Sequence, residues 1–256
     1  PHRLPPSCGR PMTEPRRIAM WSGPRNLSTA MMRSFGARPD CVCVDEPFYA
    51  HYLSQTGLPH PMRDQVIASQ PTDWRIVLPG LTTDPAAAPV QYQKHMVQHM
   101  LPGMDLGWTG TVTNVFLIRE PERVVASFAA KRGLPDPAEL GFARQWSMFR
   151  EMAERGATPI VIDSADIRRD PRRALRALCA AIDLPWTEAM LSWQAGPHPE
   201  DGVWGAVWYD AVNRSNGFGG PEGPGPELDG PLADLATRLR PDYEAIAAHR
   251  LVLSGR

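Results

Sequence analysis

A cation and several hydroxyls crowd one short stretch near the start of the chain, Ser22-Gly23-Pro24-Arg25-Asn26-Leu27-Ser28-Thr29. It follows an apolar run, Arg17–Trp21. It precedes a segment, Leu27–Phe35, in which Met31 and Phe35 are spaced four apart, as on one face of a helix. Strand, short loop and helix together make a cradle for an anion. Free backbone N–H groups and the positive end of the helix dipole converge there. Pro24, Arg25, Asn26, Leu27, Ser28 and Thr29 are therefore candidate phosphate ligands. The stretch is not a Walker A loop, because the G-x-x-x-x-G-K-[ST] spacing and its lysine are absent. Taken alone, an ordinary strand–helix turn reads the same way.

A second constellation sharpens the first. After the apolar run Thr113–Ile118 comes Arg119-Glu120-Pro121-Glu122-Arg123, and Ser127 follows Arg119 by eight residues. Arg119 would end a strand and Ser127 would sit two turns along the next helix. A guanidinium there can fork onto a phosphate while the hydroxyl adds a donor. Two further residues invite a chemical role. Glu46 follows the run Cys41–Asp45. That run also reads as a Walker B strand serving metal and water, a reading that loses its support without Walker A. Lys94 ends the run Val90–Lys94 and is one of only two lysines among 27 basic residues. The other, Lys131, reads as an exposed, incidental one. His95 adjoins Lys94 and faces the opposite side if the strand continues. His99 lies four residues beyond His95, a spacing that can bind metal on a helix. No third ligand accompanies the pair, so both histidines read as partner-free or surface residues and no metal site is expected.

The paired motifs, Pro-Arg-x-x-Ser-Thr after the first strand and Arg-x7-Ser after a later one, resemble the nucleotide-binding motifs of sulfotransferases. These enzymes use 3′-phosphoadenosine 5′-phosphosulfate (PAPS) and release 3′,5′-ADP (PAP). The stretch Pro24–Glu46 is similar to tyrosylprotein-type and related bacterial members over its whole length. The likeness is good over about residues 17–185 and looser beyond. It implies that Arg25 and its loop hold the 5′-phosphosulfate, and that Arg119 and Ser127 hold the 3′-phosphate. Glu46 stands where one branch of the family has its general base, and another branch uses a histidine two residues after the lysine. Lys94 stands where the family has a sulfonate-contacting lysine. Arg214, Ser215 and Gly217 fall in a basic, Gly-rich loop like the one that closes over the 3′-phosphate and adenine. One departure concerns Leu27, since many members carry Gly there, which makes the loop tighter to fit. Many also carry Lys in place of Arg25. The implied reaction moves a sulfuryl group from PAPS to a hydroxyl or amine. Acceptors of several kinds fit: a small molecule, a glycan or a lipid. Two other classes remain open, an ATP- and magnesium-dependent P-loop phosphotransferase or hydrolase, and a non-catalytic nucleotide-binding module.

The elements that position these residues alternate. Expected strands at Arg17–Trp21, Cys41–Asp45, Val90–Lys94, Thr113–Ile118 and Pro159–Ile162 are interleaved with helices at Leu27–Phe35, Pro121–Ala130, Glu139–Arg155 and Pro171–Ile182. A last helix spans about Leu232–His249. That order predicts an α/β fold, a P-loop-type three-layer sandwich with a mostly parallel central sheet. Residues 1–16 read as a Pro- and Arg-rich leader in which Met12 is a candidate start. Residues 17–256 read as one domain, with a Gly-, Pro- and Trp-rich loop or lid at about 196–230. Its tryptophans are core residues or line an acceptor cavity. The formal net charge of -1 provides no field for nucleic acid. No run reaches the ~20 apolar residues of a membrane span. Four cysteines without a paired CxxC pattern point to a reduced, cytoplasmic protein.

Overall fold

A computed structural model describes residues 14–253; most of the expected leader lies outside the described residues. Five strands form one sheet: β1 (Arg16–Ser22), β2 (Cys41–Asp45), β3 (Val90–Met96), β4 (Thr113–Ile118) and β5 (Ile160–Asp163). Their spatial order is β2-β3-β1-β4-β5, and every pairing is parallel. Helices α1 (Ser28–Gly36), α2 (Tyr49–Thr56), α3 (Arg63–Ser69) and α4 (Trp74–Thr82) precede β3. Then come α5 (Pro121–Arg132), α6 (Pro137–Leu140), α7 (Phe142–Glu154), α8 (Ser164–Arg169) and α9 (Pro171–Ala181). The chain ends with α10 (Gly205–Trp208), α11 (Asp210–Asn213) and α12 (Gly230–Ala247).

Period-two alternation on the central strand divides the core. Ile18 and Met20 point to one face of the sheet and pack with α1 and α9. Ala19 and Trp21 point to the other and pack with α5, α7 and α12. Two apolar layers therefore clothe one sheet, and this is the expected three-layer sandwich. Asp170 caps α9, accepting the Arg173 N–H at 3.0 Å.

Three features differ from expectation. The helix expected over Glu139–Arg155 is broken into α6 and α7 by Gly141, whose φ of 74° disfavours any side chain. A β-carbon on Gly141 would meet Val97 Cγ2 at 2.7 Å. Second, α2 to α4 lie within residues 49–82, where no element was expected. They are short, and Pro79 lies inside α4. Third, the segment at 196–230 is tied down. Arg33, buried on α1, makes a forked ion pair with Asp201, at 2.5 and 2.7 Å, and also donates to Asn213 Oδ1 at 3.2 Å.

All five strands point the same way, so their C-terminal ends gather the loops after Ser22, Asp45, Met96, Ile118 and Asp163 along one edge. β1 and β4 are neighbours there although chain connections leave them in opposite directions. Such a switch point opens a crevice for ligands.

Candidate active site

The loop after β1 is built from backbone that few side chains adopt. Arg25 has φ 63° and Leu27 has φ 72°, both left-handed. Leu27 therefore holds the conformation that favours Gly, which locates the departure noted in the sequence at a strained position. Gly23 lies so close to Leu140 O that a β-carbon would sit 2.6 Å from it. Asn26 anchors the loop from beneath, its Nδ2 donating to Leu117 O on β4 at 3.2 Å.

Two loops meet at this point. Arg25 Nε donates to Ser127 Oγ at 2.9 Å, and Arg119 Nη1 donates to Arg25 O at 2.6 Å. Burial first, and then the neighbouring Arg119 cation, lower the pKa of Arg25. Asp210 acts in the opposite direction and only partly offsets them. One cavity is lined by Arg25, Asn26, Leu27, Ser28, Thr29, Arg119, Ser127, Ser215 and Gly217, with Arg168 as a further cation. Arg214 is exposed and does not line it. Arg168, at the end of α8, is the basic group the sequence reading missed. It occurs in a run of arginines, Arg168, Arg169, Arg172 and Arg173, with nothing local to single it out.

A second cavity adjoins the first and shares Arg25, Ser28, Thr29 and Trp208 with it. Pro24, Glu46, Lys94, Tyr49, His60, His99, Phe128, Arg132, Glu139 and Tyr209 also line it. Of the tryptophans in the late segment, Trp204 is core and Trp208 forms the wall between the two cavities. Lys131 is not incidental, because its Nζ donates to Val207 O at 2.8 Å and pairs with Asp210 at 3.2 Å. It thereby fastens α10 and α11 over the site.

Lys94 is 1% exposed and all its donors are in use. Nζ binds Asp45 Oδ1 at 2.9 Å, Tyr209 OH at 2.6 Å and Glu46 Oε1. Tyr209 OH in turn donates to Asp45, at 2.7 Å to Oδ2, and accepts from Trp204 Nε1 at 2.9 Å. Gly202 N–H donates to Asp45 Oδ2 at 3.0 Å. One lysine thus sits between two buried carboxylates. Burial alone would lower its pKa, but Asp45 and Glu46 outweigh that and raise it. Burial raises the pKa of Glu46, opposed by Lys94 and reinforced by Asp45. Glu46 is also backbone-strained, with φ 40°.

The strand reading of His95 holds, but neither histidine is a surface residue, for both are buried, and His95 Nε2 lies 3.1 Å from Gln93 Oε1. β3 continues through His95, so His95 faces away from Lys94 and stacks on Trp21 with ring centroids 4.3 Å apart. Burial pushes its pKa down to about 3. His99 is buried, stacked between Tyr49 and Tyr52, with Nε2 4.0 Å from Glu46 Oε2. Burial, then neighbouring histidine and lysine, hold it neutral with a pKa well below the usual value. Among the described residues no group of three His, Cys, Asp or Glu is placed to hold a metal ion.

A five-stranded, all-parallel sheet in the order β2-β3-β1-β4-β5, flanked by helices and with a short loop joining β1 to α1, is the architecture of the P-loop class. A sulfotransferase-domain family model matches residues 16–250, and the chain belongs to that family. It is 36% identical over 238 residues to branched-chain-amino-acid aminotransferase-like protein 1 of Arabidopsis thaliana. The match covers 93% of this chain but 43% of that protein. The name therefore belongs to a protein of which this chain spans less than half the length. A sulfotransferase from Alicyclobacillus acidocaldarius shares the fold at a TM-score of 0.54 and 11% identity, over 94% of this chain and 98% of that one. The sulfotransferase domain from the curacin biosynthetic pathway does so at 0.52 and 15%, over 88% and 98%.

Proposed function

We propose that this domain transfers a sulfuryl group from PAPS to an acceptor hydroxyl or amine, with Glu46 as general base. The supporting observation is the meeting of two loops at Arg25, which joins Ser127 and Arg119 around one cavity while Glu46 lines the next. The donor set fits a nucleotide carrying phosphates at both ends. Arg119 Nε is a buried donor without a hydrogen-bond partner, and Arg119 already holds a carboxylate, that of Glu222. When bound, PAPS supplies the sulfuryl group and an anionic leaving group. Arg25 and the β1 loop orient that end, and Arg119 with Ser127 fix the 3′-phosphate. Glu46 lines the second cavity, where its carboxylate can take the acceptor's proton. Lys94 holds Glu46 Oε1, and a direct contact with the transferred group requires one of its present bonds to open. The acceptor binds among Tyr49, Phe128 and Trp208.

The first test is thermal stabilisation by PAP against 5′-ADP, 5′-AMP and ATP, with and without magnesium. A ligand of the folded state at 100 times its dissociation constant adds about 2.7 kcal/mol. In a protein of this size that raises Tm by roughly 5–10 °C. PAP should give the largest shift, and Arg119→Ala should abolish its advantage over 5′-AMP. Equal losses for both nucleotides would refute the 3′-phosphate role. Stabilisation by magnesium–ATP with none by PAP would move the domain to the phosphotransferase class.

A further inference from the structure

Glu222 supplies an anion to the arginine that the nucleotide's 3′-phosphate needs. It stands in the irregular Gly- and Pro-rich stretch between α11 and α12. Its Oε1 accepts from Arg119 Nη2, and its Oε2 lies 3.4 Å from Arg123 Nε. The side chain is 12% exposed. The stretch is pinned on either side of Glu222. Arg168 Nε donates to Gly220 O at 2.9 Å and Arg123 Nη2 donates to Gly223 O at 2.6 Å. Three arginines from α5, α8 and the end of β4 thus hold Gly220, Glu222 and Gly223 beside a cavity that Arg119 and Arg168 line.

The pairing is incomplete. Glu222 Oε2 accepts no hydrogen bond, and the buried Arg119 Nε donates none. A carboxylate leaves donors unused that a phosphate, with three acceptor oxygens and greater charge, can engage. Arg119 cannot serve both anions fully, since two negative groups brought to one guanidinium repel each other.

We infer that Glu222 is a specificity-determining residue of the nucleotide site, a built-in rival that a 3′-phosphate has to displace from Arg119 and Arg123. The inference rests on the PAPS reading. A nucleotide without a 3′-phosphate leaves Glu222 where it is and gains nothing from its removal. A nucleotide with one exchanges a partial pairing for a full one and loses part of its binding to that exchange. Affinity for PAP is therefore set below what the arginines alone would give. Release of PAP after turnover is assisted by a carboxylate already tethered beside the site.

The test is calorimetric titration of wild type, Glu222→Gln and Glu222→Ala with PAP and with 5′-AMP at one ionic strength. A charge-assisted bond of this kind predicts PAP binding tightened about tenfold in both variants. The affinity for 5′-AMP should stay within about twofold. PAP affinity unchanged or weakened in the variants overturns the inference and leaves the PAPS reading intact. In that case Glu222 is a spectator or a direct ligand of the nucleotide. Failure of all three proteins to bind PAP overturns the PAPS reading and this inference with it.

Discussion

Glu46→Gln should lower turnover by at least about a hundredfold while PAP affinity stays unchanged, the usual scale for loss of a general base. The amide keeps the shape of the carboxylate, and Lys94 keeps Asp45 and Tyr209, so the fold has no reason to fail. What is lost is the acceptor for a proton. The pH profile separates this from mere disturbance. Burial, with Asp45 beside it, raises the pKa of Glu46 against the pull of Lys94. The deprotonated form is the active one. The acid limb of kcat/KM should therefore lie above the ordinary glutamate range, with activity rising as pH rises through it. That limb should vanish in the variant. Near-normal turnover would pass the role to His99, the nearest other candidate, 4.0 Å from Glu46 Oε2.

How much of this was legible in the sequence depended on how local each signal was. The β1 loop, the Arg119–Ser127 spacing and the five strands are patterns within a dozen residues, and they stand where expected. Lys94 was found by scarcity in an arginine-rich chain, and Leu27 was marked by the Gly it replaces. The structure gives the second a cause, a left-handed backbone at φ 72°. The partners of these residues were not legible. Tyr209 reaches Asp45 across 164 positions, and Glu222 reaches Arg119 across 103. No spacing rule encodes such a meeting; it follows from the strand order, which brings the loop ends together. His99 misled for a different reason. It was weighed for its spacing from His95, while Val97 and Met100, both core residues, carry it into the interior.

Replacing Lys94 by Met should cost about 3–5 kcal/mol of stability, the usual penalty for leaving a buried charge uncompensated. This is a large share of the ~5–15 kcal/mol that holds a typical domain folded. Met fills similar volume, so packing changes little and the loss reports electrostatics. Asp45 retains the Gly202 N–H and the Tyr209 hydroxyl, whose one proton it takes at 2.7 Å, so Glu46 Oε1, 3.4 Å from that hydroxyl, loses its ammonium and is left without a donor. An unpaired buried carboxylate prefers its proton, so the folded-state pKa of Glu46, already raised by burial, rises further above the unfolded value once Lys94 no longer opposes it. The native state then binds more protons than the unfolded state between the two, and stability falls as pH rises through that window. Denaturant unfolding at pH 5.5 and pH 8 should therefore show the larger deficit at pH 8. The double variant Lys94→Met with Glu46→Gln removes the stranded charge along with its partner. It should be more stable than Lys94→Met alone, a coupling that distant, independent sites do not show. A deficit equal at both pH values, with the two substitutions simply adding, would mean that Lys94 acts by packing and that Glu46 owes its orientation to something else.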